Sequence, residues 1–145
     1  MSDDLKAAAE AWLSEDPDPD TRAELRTLLD AGALPDSNSA AELADRFAGT
    51  LEFGTAGLRG AVGAGPNRMN RVVVIRAAAG LAAYLKAKGL TDGPVLIGYD
   101  ARHKSDVFAQ DTAAVIRGAG LDAVLLDRPA PVITAAVSSA NTSER

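Results

Sequence analysis

Apolar positions along this chain change their period near residue 50. Before it they recur at helical spacing in three short blocks. Leu5 to Leu13 is alanine-rich, carries Trp12 and stops before the turn-prone Asp16-Pro17-Asp18-Pro19-Asp20. Leu25, Leu28 and Leu29 make a second stripe, opened by Thr21-Arg22-Ala23-Glu24 at capping-box spacing and stopping near Gly32. Ser39-Ala40-Ala41-Glu42 repeats that box ahead of Leu43 and Phe47. The pattern predicts a helical N-terminal arm over residues 1–48 that covers the surface of a domain.

Beyond residue 49 short apolar runs alternate with longer helical periods. Asn70 suits the N-cap of a helix from Arg71 to Lys88, ended by Gly89. Val73, Ala77, Gly80, Leu81, Tyr84 and Leu85 recur along it and its other side is largely alanine, which predicts a well-buried helix. Pro94 leads into Val95-Leu96-Ile97-Gly98-Tyr99, an apolar run expected as a buried parallel strand. Ser105 can cap a second helix, with Phe108, Thr112, Val115 and Ile116 on one face and an end at Gly118 or Gly120. Ala123-Val124-Leu125-Leu126 is the next strand. Strand, helix and strand make a βαβ unit, so the fold class is α/β. In such sheets ligands collect beyond the carboxyl ends of the strands. Tyr99-Asp100-Ala101-Arg102-His103-Lys104-Ser105 and Asp127-Arg128-Pro129 occupy those places.

Composition narrows the functional classes. The 145 residues suit one domain, and 4% aromatic content leaves the core to Ala, Val, Leu and Ile. A net charge of -5 argues against a sequence-independent grip on nucleic acid, which needs a basic face. No window of about 18 uncharged apolar residues is available to span a membrane. The acidic start Met1-Ser2-Asp3-Asp4 lacks a signal-peptide pattern, and there is no cysteine for disulfide or thiol chemistry. The expectation is a cytoplasmic protein.

Candidate chemistry gathers between Leu51 and Arg71. Gly54, Gly57, Gly60, Gly63 and Gly65 surround Arg59, and Arg68 and Arg71 follow. Glycine lets backbone N–H groups approach a ligand, and arginine presents a fork that matches phosphate oxygens. The dinucleotide and P-loop motifs both fail here, since Gly63-Ala64-Gly65 leads to Arg68 and Gly65 precedes Pro66-Asn67. A glycine-rich hairpin with solvated arginines fits the same spacing. Arg59, between two glycines, has either a phosphate or an acidic neighbour such as Glu52 or Asp100 to face. Asp100, His103 and Ser105 contain triad residue types, but three groups so close on one loop rarely converge into a nucleophile–base–orienter relay. Asp100, His103 and Asp106 have metal-ligand types without evident second-sphere support. Asp100 and Arg102 read better as a brace within their loop.

Three ordered motifs resemble one family. Phe53-Gly54-Thr55-Ala56-Gly57-Leu58-Arg59-Gly60, then Asn67-Arg68-Met69-Asn70, then Ile97-Gly98-Tyr99-Asp100-Ala101-Arg102 are similar to motifs of the α-D-phosphohexomutases. The arm, with Leu43-Ala44-Asp45-Arg46-Phe47 before Leu51-Glu52-Phe53, resembles the phosphoglucomutase/phosphopentomutase branch. The resemblance covers roughly residues 10 to 137. It implies a three-layer α/β/α sandwich with a small mixed sheet over residues 49–145, an incomplete domain I of a four-domain enzyme. It also implies phosphoryl transfer between C1 and C6 of a hexose phosphate, or C1 and C5 of a pentose phosphate, through a phosphoserine and a bisphosphate intermediate. By the same resemblance Arg59 contacts substrate phosphate, and Thr55, Gly57, Gly60, Asp100 and Arg102 support the loops. The full-length enzyme is expected to use Mg²⁺ and a hexose bisphosphate activator.

The chain departs from that family near its end. Pro129-Ala130-Pro131-Val132 resembles the helix start that precedes the serine loop, with Ala130 for threonine. After Val137 the resemblance is lost, and Ser138 and Ser139 do not match the nucleophile. The expectation is therefore a segment without catalytic or metal-binding residues, with no bound cofactor and no mutase activity alone. Loss of the next strand predicts self-association through an exposed sheet edge. The alternative is a non-catalytic module that binds a phosphosugar or complements a fragment.

Overall fold

Ser2 opens the first helix. Its hydroxyl accepts from the Leu5 N–H at 3.3 Å, and α1 runs Asp3–Glu15 with Asp3 and Asp4 favourably placed in the first turn. The computed structural model describes residues 1–33, 38–55 and 57–130. The second helix, α2 (Pro19–Gly32), starts ahead of the expected cap at Thr21. Asp18 caps it, accepting from Asp20 N–H at 3.0 Å, and Pro19 brings a φ already suited to the first helical position. Thr21 instead donates its hydroxyl to Asp16 Oδ2 at 2.7 Å. The third helix, α3 (Ser39–Phe47), has Asn38 at its N-cap without a side-chain capping bond. Neither Glu24 nor Glu42 closes the expected capping boxes; both turn to Arg46.

The chain divides into two compact units, Met1–Val73 and Val74–Arg145, with the division inside α4 (Arg71–Ala87). In the first unit α1, α2 and α3 pack around Ala9, Trp12, Leu25, Leu43, Ala64 and Val72. Phe47 meets Trp12 edge-on, with ring centroids 6.2 Å apart. Ala64 brings the glycine-rich segment into that core. Before it, β1 (Phe53–Gly54) and β2 (Gly57–Leu58) form a short antiparallel hairpin.

In the second unit β3 (Val95–Ile97), α5 (Ser105–Gly118) and β4 (Ala123–Leu125) make the expected βαβ unit. The strands are parallel, with Val95 opposite Ala123 and Ile97 opposite Leu125. Ile97 packs with Ala109 and Ala113 of α5. The strands are not buried on both faces as expected: Leu96 and Val124, paired in register, are 50% and 46% exposed. α5 covers one face, and an all-apolar run cannot say whether the other is covered. The expected burial of α4 is also partial. Val72, Ala78, Ala82 and Leu85 are buried, whereas Gly80 and Tyr84 of the predicted stripe are exposed. Alanine on both sides leaves the sequence without a marked core face. The helix closes as expected, with Gly89 at positive φ and the Leu90 N–H reaching back to Leu85 O at 2.9 Å. The part of Pro129-Ala130-Pro131-Val132 from residue 131 on, with Ser138 and Ser139, lies outside the described residues.

Candidate functional site

The hairpin places the first group of expected site residues together. Thr55 is exposed in its turn, and Gly57 adopts a φ of +86° in β2. Gly60 lies against Leu51, whose methyl carbons would stand 2.8 and 2.9 Å from an added Cβ. Arg59, between them, is exposed. Its neighbours in sequence are engaged: Arg68 pairs with Asp45, and Arg71 donates to Pro17 O at 3.4 Å. Among the described residues Arg59 has neither a hydrogen bond nor an ion pair.

Residues 61–70 form a platform for that hairpin. Leu51 N–H donates to Pro66 O at 3.0 Å, which ties the start of the hairpin segment to it, and Met69 N–H donates to Ala61 O at 2.7 Å, which holds the residue that follows the segment's end. Asn70, only 1% exposed, organises the turn. Its Nδ2 donates to Gly63 O at 2.9 Å and Gly65 O at 2.8 Å, with a longer contact to Arg68 O at 3.2 Å. Its Oδ1 accepts from Val73 N–H at 3.0 Å, which is the N-cap expected from the sequence.

Sequence reasoning missed the charges beneath this platform. Arg46 Nη2 lies 2.8 Å from Glu24 Oε1 and 2.7 Å from Glu42 Oε1, and Nη1 donates to Ala64 O at 3.1 Å. Burial pulls the Arg46 guanidinium downward, but the hydrogen bonds and charges of Glu24 and Glu42 outweigh it and hold its pKa above the usual arginine value. The only signal was that Glu24 and Glu42 stood at positions equally suited to capping.

The second group lies in the other unit. Asp100 Oδ1 accepts from Ser105 Oγ at 2.7 Å and from Arg102 N–H at 3.1 Å, while Oδ2 accepts from Arg102 Nε at 2.7 Å. Ser105 is thus tied to the carboxylate directly, and His103 has no hydrogen bond among the described residues, so no nucleophile–base relay is assembled. Lys104 takes a left-handed φ of 63° before α5, and the helix has no side-chain cap from it. The Ser105 hydroxyl and the Arg102 backbone hold the Asp100 carboxyl below its ordinary value. A lowered folded-state pKa stabilises the loop above the unfolded value and is lost as pH falls through the folded one. In an NMR titration the Arg102 amide is expected to move with a midpoint below the ordinary carboxylate value. A midpoint at or above that ordinary carboxylate value contradicts the brace.

Among the described residues no group of three His, Cys, Asp or Glu could hold a metal ion, and no helix is long and apolar enough to cross a membrane. The profile of phosphoglucomutase/phosphomannomutase, alpha/beta/alpha domain I, matches residues 50–144. A probable phosphomannomutase of Haemophilus influenzae is 51% identical over 78 residues, 52% of this chain and 16% of that protein. The phosphoribomutase of Saccharomyces cerevisiae is 38% identical over 111 residues, 77% of this chain and 17% of that protein. A probable phosphoribomutase of Schizosaccharomyces pombe is 35% identical over 143 residues, 96% of this chain and 23% of that protein. The chain thus spans less than a quarter of the length of each of these relatives. No solved structure matches it.

Proposed function

Because the chain belongs to the phosphoglucomutase/phosphomannomutase family, we propose that it is domain I of a phosphosugar mutase. The reaction is an isomerisation that moves a phosphoryl group between C1 and C6 of a hexose phosphate, or C1 and C5 of a pentose phosphate. Phosphoryl transfer spreads negative charge over the transferring oxygens, and catalysis is chiefly positioning and electrostatic stabilisation. Arg59 is the group in this chain that serves that need. Its planar fork can donate to two phosphate oxygens at once. Thr55, Gly57 and Gly60 shape the backbone that presents it, while Asp100 and Arg102 brace the loop after β3. The observation that carries the reading is the contrast within one segment: Arg68 and Arg71 are engaged by protein partners, and Arg59 is exposed without one among the described residues.

The reacting serine and the Mg²⁺ ligands are assigned to the remainder of the enzyme. In this reading the part of this chain is to bind and orient phosphate. Assays of glucose 1-phosphate conversion to glucose 6-phosphate, and of ribose 1-phosphate to ribose 5-phosphate, test this. Turnover is expected from the full-length protein that carries this segment and none from the 145-residue chain alone. Robust turnover by the isolated chain contradicts the assignment of serine and metal elsewhere. A full-length protein inert on both sugars contradicts the mutase reading itself.

A further inference from the structure

Arg46 is 7% exposed, and all three of its guanidinium nitrogens are engaged. Nε and Nη2 donate to Glu42 Oε1 at 3.2 and 2.7 Å, Nη2 also meets Glu24, and Nη1 donates to Ala64 O at 3.1 Å. Glu24 completes the circuit, because its Oε2 accepts from Ala64 N–H at 2.9 Å. Both polar backbone groups of Ala64 are therefore held by one ion-paired system reaching from α2 and α3. Glycine on either side permits the approach. A Cβ on Gly63 would stand 3.1 Å from Arg46 Nη1. One on Gly65, whose φ is +104°, would stand 3.1 Å from Arg46 Cβ and O.

Stability alone does not account for this arrangement. Arg46 is buried, but Glu24 and Glu42 stay 37% and 44% exposed, and ion pairs open to water contribute little to stability. An apolar filler, for its part, has no means of fixing the direction of a peptide N–H and C=O together. What Arg46 and Glu24 supply is orientation, delivered at the middle of the platform. From Ala64 the restraint passes through Gly63 N–H to Met69 O, Met69 N–H to Ala61 O, and Leu51 N–H to Pro66 O. Those bonds hold the start of the segment that carries Arg59 and the residue that follows its end.

We propose that Arg46, acting with Glu24, is a positioning residue for the phosphate-contacting Arg59. The inference rests on the reading of Arg59 given above. A misplacement of about 1 Å can cost on the order of a hundredfold in rate even when the altered residue is remote from the chemistry. Arg46→Gln in the full-length mutase is therefore expected to lower kcat/KM with glucose 1-phosphate by roughly ten- to a hundredfold. Arg46→Lys should recover only part of this, because one ammonium cannot reproduce the planar fork shared by two carboxylates and a carbonyl.

The deciding experiment is a double-mutant cycle with Arg59→Ala, run well below the melting temperature of each variant. If Arg46 works through Arg59, the loss from Arg46→Gln shrinks to under about twofold once Arg59 is gone. Losses that multiply in the double variant overturn the proposal, since a purely structural role gives that result. Should Arg46→Gln fail to fold, Glu24→Gln carries the same cycle, as it keeps the side-chain volume and the Arg46–Glu42 pair. Normal kcat/KM in Glu24→Gln overturns the proposal as well. Unchanged activity in Arg59→Ala overturns the underlying reading, whereas an impaired Arg59→Ala with multiplying losses overturns the positioning role alone.

Discussion

Asn70→Ala is expected to destabilise the fold by roughly 2 to 4 kcal/mol, a large part of the stability of an ordinary domain. The side-chain amide has two hydrogens, which go to Gly63 O and Gly65 O at 2.9 and 2.8 Å, and Arg68 O shares at longer range. Truncation leaves the buried Gly63 carbonyl without its donor, at about 1–3 kcal/mol, while Gly65 O loses one of two donors and keeps the Arg68 N–H at 3.2 Å. It also removes the acceptor for Val73 N–H at the start of α4, a cap worth about 1 kcal/mol. Asn70→Ser retains a capping oxygen and loses the two reaching donors, so about two thirds of the loss is expected to remain. Urea unfolding checks this: the midpoint should fall while the slope stays constant. A loss below about 1 kcal/mol would mean that water can take over all the bonds of the amide.

Local periodicity carried the helices and the βαβ unit into view, because apolar spacing and helix ends are properties of neighbouring residues. Asn70 was legible as a cap for the same reason. Its grip on the carbonyls of Gly63 and Gly65 was not, since it depends on a turn closing over the side chain. Long-range charge pairing was hidden more completely. Glu24 stands at capping-box spacing, yet its partners are Arg46 and the backbone of Ala64, 40 residues away. Asp18-Pro19 outcompeted Thr21 as the start of α2 because a carboxylate cap followed by a preset φ satisfies the helix entrance more fully. In β3 and β4 the composition is apolar throughout, but Leu96 and Val124 remain exposed, which an apolar run cannot reveal. Arg59 drew attention by lying between glycines. That Arg68 and Arg71 are engaged instead depends on where Asp45 and Pro17 fall in space, which sequence spacing does not contain.

The second large effect falls on activity, and Arg59 carries it. A charge-assisted hydrogen bond is worth about 1.5–3 kcal/mol, so losing the guanidinium from a phosphate corresponds to roughly a ten- to hundredfold drop in kcat/KM. Because Arg59 is exposed and makes no bond among the described residues, the fold should not register its removal beyond about 0.5 kcal/mol. Lysine keeps the charge but not the fork, and should restore part of the rate. The most direct measurement is kcat/KM for glucose 1-phosphate and ribose 1-phosphate in the full-length enzyme carrying Arg59→Ala, set beside its urea midpoint. A phosphate-contacting arginine predicts a deep loss of turnover at unchanged stability, partly recovered in Arg59→Lys. Wild-type kcat/KM in Arg59→Ala contradicts it.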